Sequence, residues 1–151
     1  MKIKEIMSSN VTTVKANRLL SEITELFAEP NIGGMPVVDN DGNMIGLVTM
    51  IDFIGHFLPD SPLLIQEIIS SNYEGVEKDI LSVDWENAKV EDIMEKRIIT
   101  INEEDSLVKA AALFYEQKIR LLPVVNSSGK LVGVVTLSDV CQGIDESSRR
   151  K

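Results

Sequence analysis

The sequence predicts an α+β fold made from two copies of a β-α-β-β-α unit, packed sheet to sheet with pseudo-two-fold symmetry. Three observations carry this. First, Lys2 to Ile54 aligns without a gap on Lys89 to Cys141 at a constant offset, and roughly a third of the aligned positions are identical, the mark of an internal repeat. Second, each copy holds a strand-turn-strand pattern, "MPVVDNDGNMIGLVTM" and "LPVVNSSGKLVGVVTL", whose Asp-Gly and Ser-Gly centres suit hairpin turns. Third, each copy places apolar residues at helical spacing between its first strand and that hairpin. One such unit leaves an apolar sheet face bare, and a second covers it.

The elements follow in chain order. "NVTTV" and "RIITI" are short and rich in β-branched residues, so they read as first strands. Leu19, Leu20, Ile23, Leu26 and Phe27 form a helical stripe, with Asn17 as its expected cap. In the second copy Leu107, Ala110, Ala111 and Phe114 repeat it. After each hairpin a last helix starts, near Thr49 and near Thr136. This divides the chain into a first repeat over 1–58, a connector over 59–87, a second repeat over 88–145 and a tail over 146–151. The connector contains "LLIQEIIS", where Leu64, Ile65, Ile68 and Ile69 predict a further helix. That helix reads as a packing element or, more sharply, as a lid or subunit contact. Trp85 is its expected anchor.

Bulk properties narrow the function. A chain of 151 residues, 44% of them hydrophobic, buries a real core without staples. The single cysteine, Cys141, excludes an internal disulfide and fits a reducing cytoplasm. "MKIKEIMSSN" lacks the apolar run of a signal peptide, and no stretch reaches the length of a membrane span. The net charge of −9 argues against a nucleic-acid partner. "RRK" at the end reads as a solvated tail.

The most informative repeat is Gly-x-Val-Thr-x-x-Asp, present as Gly46 to Asp52 and Gly133 to Asp139. Thr-x-x-Asp at a strand-to-helix junction is close to a capping box, in which the Thr and Asp satisfy backbone groups of the helix start. The same geometry suits a ligand. A helix N-terminus attracts phosphate, a Thr hydroxyl donates to a phosphate oxygen, and an Asp carboxylate accepts from ribose hydroxyls. Both readings stay open on the residues alone.

Other candidates weaken. "DNDGN" at 39–43 resembles a calcium loop, but its Gly comes too early and no closing Glu follows. It reads as a turn. His56 is the only histidine, which removes multi-His metal sites and a second catalytic His, and a helix face is its expected place. Cys141 reads as a buried structural thiol. No Walker-type loop is present. Nothing forms the base, nucleophile or metal cluster of an enzyme.

The ordered recurrence of Ile-Met before the first strand, "IGGMPVVD" and "IRLLPVVN", and Gly-x-Val-Thr-x-x-Asp resembles the CBS-domain family, whose paired units are Bateman modules. The resemblance spans both repeats. It implies a regulatory, non-catalytic module that binds an adenine nucleotide of the AMP, ADP or ATP class in clefts between repeats, with no required cofactor. S-adenosylmethionine and cyclic dinucleotides are the other ligands it implies. It also implies a homodimer and an effector protein that reads the ligand. The competing reading is an oligomerisation or partner-interaction module with a degenerate site. Carried over by position, one site takes Thr49 and Asp52 with Ile98, Ile99 and Arg120. The other takes Thr136 and Asp139 with Val11, Thr12 and Gly33. Arg120 stands where the first repeat has Gly33, so only one site gains a guanidinium for a phosphate. The alternative for Arg120 is a surface salt bridge. Gly33 and Gly34 leave room for a base.

Overall fold

The computed structural model describes residues 1–29, 32–70 and 86–150. Residues 71–85 of the connector, Trp85 among them, lie outside the described residues. The strands are β1 (Val14–Lys15), β2 (Gly34–Val38), β3 (Met44–Thr49), β4 (Ile101–Asn102), β5 (Leu121–Val125) and β6 (Leu131–Thr136). The helices are α1 (Leu20–Ile23), α2 (Met50–Phe57), α3 (Pro62–Ser70), α4 (Val90–Ile93), α5 (Leu107–Gln117) and α6 (Leu137–Arg149), and 3-10 turns occupy Ile3–Glu5 and Thr24–Ala28.

Two three-stranded sheets result, ordered β1-β2-β3 and β4-β5-β6. Val14 pairs with Val37 as Ile101 pairs with Val124, and Gly34 pairs with Thr49 as Leu121 pairs with Thr136. Every residue of the central strand β2 is buried. The sheets meet where Leu121 packs over Gly34, whose missing Cβ would lie 3.5 Å from the leucine Cδ2.

A proline inside a central strand would ordinarily break the ladder. Here Pro36 pairs with Leu47, and Leu47 exchanges both its backbone bonds with Glu95 on its other side, at 2.9 and 2.8 Å. On its other flank β2 meets β1 only at Val37 and Val38. The missing N–H therefore leaves no acceptor unpaired. Pro123 opposite Val134 repeats the arrangement, with Ser8 taking the outer bonds.

Those outer bonds reveal an exchange between the repeats. Ser8 bridges β6 of the second sheet, and Glu95 bridges β3 of the first. Ile3 is fully buried among Ile101, Leu107, Phe114 and Leu122. Ala88 and Val90 lie in the other core, among Val14, Leu20, Ile23 and Met35. Backbone bonds fix each crossing: Ile3 N–H to the Asp105 carbonyl at 2.9 Å, and Val90 N–H to the Arg18 carbonyl at 2.9 Å. Each linear repeat thus lends its leading segment to the other repeat's sheet, so the boundaries read from sequence do not separate two bodies in space.

The exchange also explains the recurring Ile-Met and Gly. A Cβ on Gly46 would stand 2.7 Å from the Met94 sulfur, and one on Gly133 the same distance from the Met7 sulfur. At Gly133 the Ser8 carbonyl at 2.9 Å closes the remaining space. Only glycine admits the crossing segment that closely.

Several local expectations shift. The first strands are two residues long, because β2 and β5 offer partners only near their ends. Leu19, not Asn17, occupies the cap of α1. That helix gives way to a 3-10 turn at Thr24, whose hydroxyl donates to the Leu20 carbonyl at 3.1 Å, a back-bond that disfavours regular helix. The second copy runs for 11 residues behind a Ser106 cap. The "LLIQEIIS" helix is present as α3, but it buries no residue, and Leu63 and Ile69 are each 78% exposed. It does not act as a packing element among the described residues. The expected tail is helical through Arg149, and Arg150 reaches Glu5 at 3.8 Å.

The N-terminal crossing carries an acid-sensitive clasp. Lys2 and Lys4 donate to Glu104 at 2.7 and 2.8 Å. The Lys2 bond first, then that of Lys4, holds the Glu104 carboxyl down to about 2. A carboxyl depressed on folding stabilises above its unfolded value and loses that contribution as pH falls toward the folded one. Glu104→Gln is therefore expected to flatten the pH dependence of stability between about 4.5 and about 2, where the wild-type clasp is lost. Urea unfolding of both proteins at about pH 6 and about pH 3 checks this; identical acid dependence would show that the clasp contributes nothing. The effect is small, because all three side chains are half exposed to solvent.

Candidate functional site

Each hairpin ends on a threonine that caps the next helix. Thr49 caps α2 and Thr136 caps α6, and each accepts the N–H of the Asp three residues on, at 3.3 and 3.2 Å. The Asp side chains reach back: Oδ2 of Asp52 accepts from Thr49 N at 3.0 Å, and Oδ2 of Asp139 from Thr136 N at 2.9 Å. The capping box is thus real in both copies. It does not exhaust the groups. Each carboxylate spends one oxygen, and the other has no partner among the described residues.

The copies differ in one proton. The Thr49 hydroxyl donates to Asp52 Oδ2 at 2.9 Å. Thr136 makes no such bond to Asp139, so among the described residues its hydroxyl proton remains available to a ligand.

A cleft of 490 Å3 opens at this end of the hairpins, lined by Gly33, Arg120, Thr136, Met50, Ile51 and Leu137 among others. It draws residues from both repeats. Arg120 lies beside Thr136 and Gly33, which the sequence had assigned to the other site, so one cleft collects parts of both. Arg120 is exposed and makes no ion pair among the described residues. The surface salt bridge expected as its alternative is not formed there. Gly33 faces open space, with nothing within 4 Å of a built Cβ, whereas Gly34 is packed between Val48, Thr49 and Leu121. Only the first of the two glycines leaves room.

The residues before β1 and β4 divide by strand alternation. Val11 and Ile98 line a different cavity, at the far end of the hairpins. Ile99 packs against the second core, and half-buried Thr12 lines neither cavity. Met50, Ile51, Ile54 and Leu137 were not anticipated as lining. They are 42–52% exposed, and the signal for Met50 and Leu137 was an apolar residue directly after each capping threonine.

Other candidates settle as follows. The 39–43 segment is a turn: Asp39 Oδ1 accepts from the N–H groups of Asp41 and Asn43, both at 2.9 Å. His56 lies on α2, and its buried Nε2 has no hydrogen-bond partner. Cys141 is exposed rather than buried, because α6 buries Val140 and Gly143 and Cys141 falls off that stripe. Among the described residues no group of three or more His, Cys, Asp or Glu could hold a metal, and no helix is long and apolar enough to cross a membrane.

Two intertwined β-α-β-β-α repeats, each ending a hairpin on a Thr-capped helix beside a shared cleft, define a tandem-repeat module. The chain belongs to the CBS-domain family, whose model matches residues 3–58 and 90–146. A CBS domain-containing protein of Dictyostelium discoideum is 33% identical over 138 residues, covering 91% of this chain and 87% of that protein. An uncharacterized protein of Methanocaldococcus jannaschii is 28% identical over 156 residues, covering 95% and 91%. Among solved structures, that of CBSX2 in complex with AMP superposes with a TM-score of 0.72 at 26% identity, covering 97% of this chain and 98% of that one.

Proposed function

We propose that this protein is a regulatory module that binds an adenine nucleotide of the AMP, ADP or ATP class between its two repeats, without catalysing a reaction on it. The observation that carries this is Arg120, unpaired among the described residues and lining one cleft with Gly33 and Thr136. The phosphate sits between the guanidinium and the start of α6, where the dipole and the free Thr136 proton both favour an anion. Asp139 is not itself among the lining residues but follows Ser138, which is, and its unspent oxygen accepts from the ribose hydroxyls. In the other repeat Thr49 and Asp52 offer the same cradle without the free hydroxyl proton. The AMP held by CBSX2 supports this class of ligand. An adenosyl ligand without phosphate, such as S-adenosylmethionine, would leave Arg120 unused.

Calorimetry with AMP, its 2′-deoxy form and S-adenosylmethionine tests the assignment. AMP is expected to bind more tightly than the deoxy form, and Asp139→Asn to shrink that difference by about 1–3 kcal/mol. Equal affinity for ribo and deoxy ligands in the wild type would remove Asp139 from the ribose.

An assembly role has its own support. Met50, Ile51 and Ile54 on α2, and Leu137 and Ile144 on α6, are large apolar residues left 42–52% exposed. Exposed apolar side chains of this size mark a protein contact; Met50, Ile51, Ile54 and Leu137 also line the cleft, so a partner copy seated here would close over its apolar wall. The module is a homodimer through this face, and an effector protein reads the ligand state. Light scattering is expected to give about twice the chain mass of 16.7 kDa. A mass equal to one chain would leave the partner-interaction reading without its self-association.

A further inference from the structure

The two hairpins have a second end. Opposite the Thr136 cleft, beneath the turns at 39–43 and 126–130, lies a cavity of 1060 Å3, at the upper limit of the volumes usual for small-molecule sites, about 300–1,000 Å3. Equivalent positions of the two repeats build it. Val11 faces the cavity as Ile98 does, and Thr13 as Thr100 does. None of these four lines the Thr136 cleft.

Val11, Val38, Ile98 and Val125 give the lining its apolar surface, and Thr13 and Thr100 bring hydroxyl groups to it. The rim is charged and unsymmetrical. Lys130 replaces the Asn43 of the first repeat, and its ammonium makes no ion pair among the described residues. Lys15 also lines the rim, held by its bond to the Asp39 carbonyl at 2.9 Å. The one carboxylate of the lining, Asp41, lies on the first turn, across from Lys130 on the second. Asp39, on the same turn, interacts electrostatically with Lys15, so the two cations are matched by two anions, and Lys130 is the lining cation whose ammonium has no bonded partner among the described residues. The rim is also preformed. Asn126 Oδ1 accepts from the N–H groups of Ser128 and Lys130, both at 3.0 Å, as Asp39 does in the other turn. Gly42 and Gly129, at φ 83° and 78°, supply the left-handed residue that each turn needs.

We propose that this cavity is a second ligand site, distinct from the nucleotide cleft, for a small organic anion with an apolar body. The anionic group, phosphate or carboxylate, meets Lys130, with Asp41 confining it to that side. The apolar body lies against Val11 and Ile98, and Thr13 and Thr100 donate to its polar edge. Such a ligand touches both repeats at the end remote from the capped helices, so the module reads two chemical signals through one pair of sheets.

The test titrates naphthyl phosphate, naphthoate and neutral naphthol into the full chain with excess AMP present, followed by amide NMR. Saturable shifts are expected at Val11, Thr13, Ile98 and Thr100. The anions are expected to bind more tightly than naphthol, and Lys130→Glu to weaken them by about fivefold, the scale of one exposed charge contact, while leaving naphthol unchanged. Arg120→Ala is expected to leave all three unchanged. The phosphate and carboxylate arms identify the preferred anion. Shifts confined to the Gly33, Arg120 and Thr136 cleft, an absence of saturation, or an anion preference that survives Lys130→Glu would each overturn the proposal.

Discussion

Ile3→Ala is expected to destabilise the protein by about 2–5 kcal/mol, the range for truncating a buried isoleucine, although it stands third from the N-terminus. A residue outside any strand or α-helix would ordinarily fray at little cost. Ile3 does not, because it is 0% exposed and inserted among Ile101, Leu107 and Phe114 of the second repeat. Its N–H bonds the Asp105 carbonyl, and the next residue bonds that of Glu103. Removing three carbons leaves a cavity that the second sheet and the helices α5 and α6 around it cannot close. The equivalent position, Val90, is also 0% exposed and sits in the first core, so Val90→Ala should destabilise in the same sense but less, having fewer carbons to lose. Urea unfolding of both variants measures the effect. A loss below about 0.5 kcal/mol for Ile3→Ala, the scale of an ordinary surface change, would mean that the N-terminal crossing is not part of the cooperative core.

Arg120→Ala is expected to lower the affinity for AMP by about tenfold while leaving adenosine binding nearly intact, the loss of charge-assisted bonds to a phosphate that stays partly solvated. Arg120→Lys should restore only part, because an ammonium cannot reproduce a two-pronged guanidinium contact. Added salt should narrow the gap between AMP and adenosine in the wild type more than in the variant. Titration calorimetry with both ligands decides the matter. An unchanged ratio of the two affinities would assign the phosphate to the α6 start and Thr136 alone.

The sequence made the repeat, both hairpins and both capped helices legible, because each rests on local chemistry. Glycine at the turn, threonine at the cap and apolar spacing along α5 act over a few residues. The exchange of leading segments was not legible. Periodicity tells which face of Met7 or Ile3 is apolar, not which sheet it covers. The recurrence of Gly46 and Gly133 was plain, yet its cause, a methionine sulfur arriving from the other repeat, lies far away in sequence. The same limit applied to the candidate site residues. Val11 and Thr12 were placed together in one site, but the assembled sheets open Val11 and Ile98 onto the far cavity and leave Thr12 out of it. Arg120 was singled out by its contrast with Gly33. Its placement beside Thr136 depended on how the two hairpins come together.

The crossing of leading segments has a consequence for a severed chain. A protease cut in the connector would leave two fragments, yet neither could depart as a finished body. The first would carry Ile3 without the core it fills, and the second would carry Val90 in the same position. Each fragment ends short of a complete sheet edge, which its counterpart supplies through Ser8 on β6 or Glu95 on β3. Such halves should reassociate on mixing, as in fragment complementation. The tandem chain is then the covalent form of a mutually completed pair.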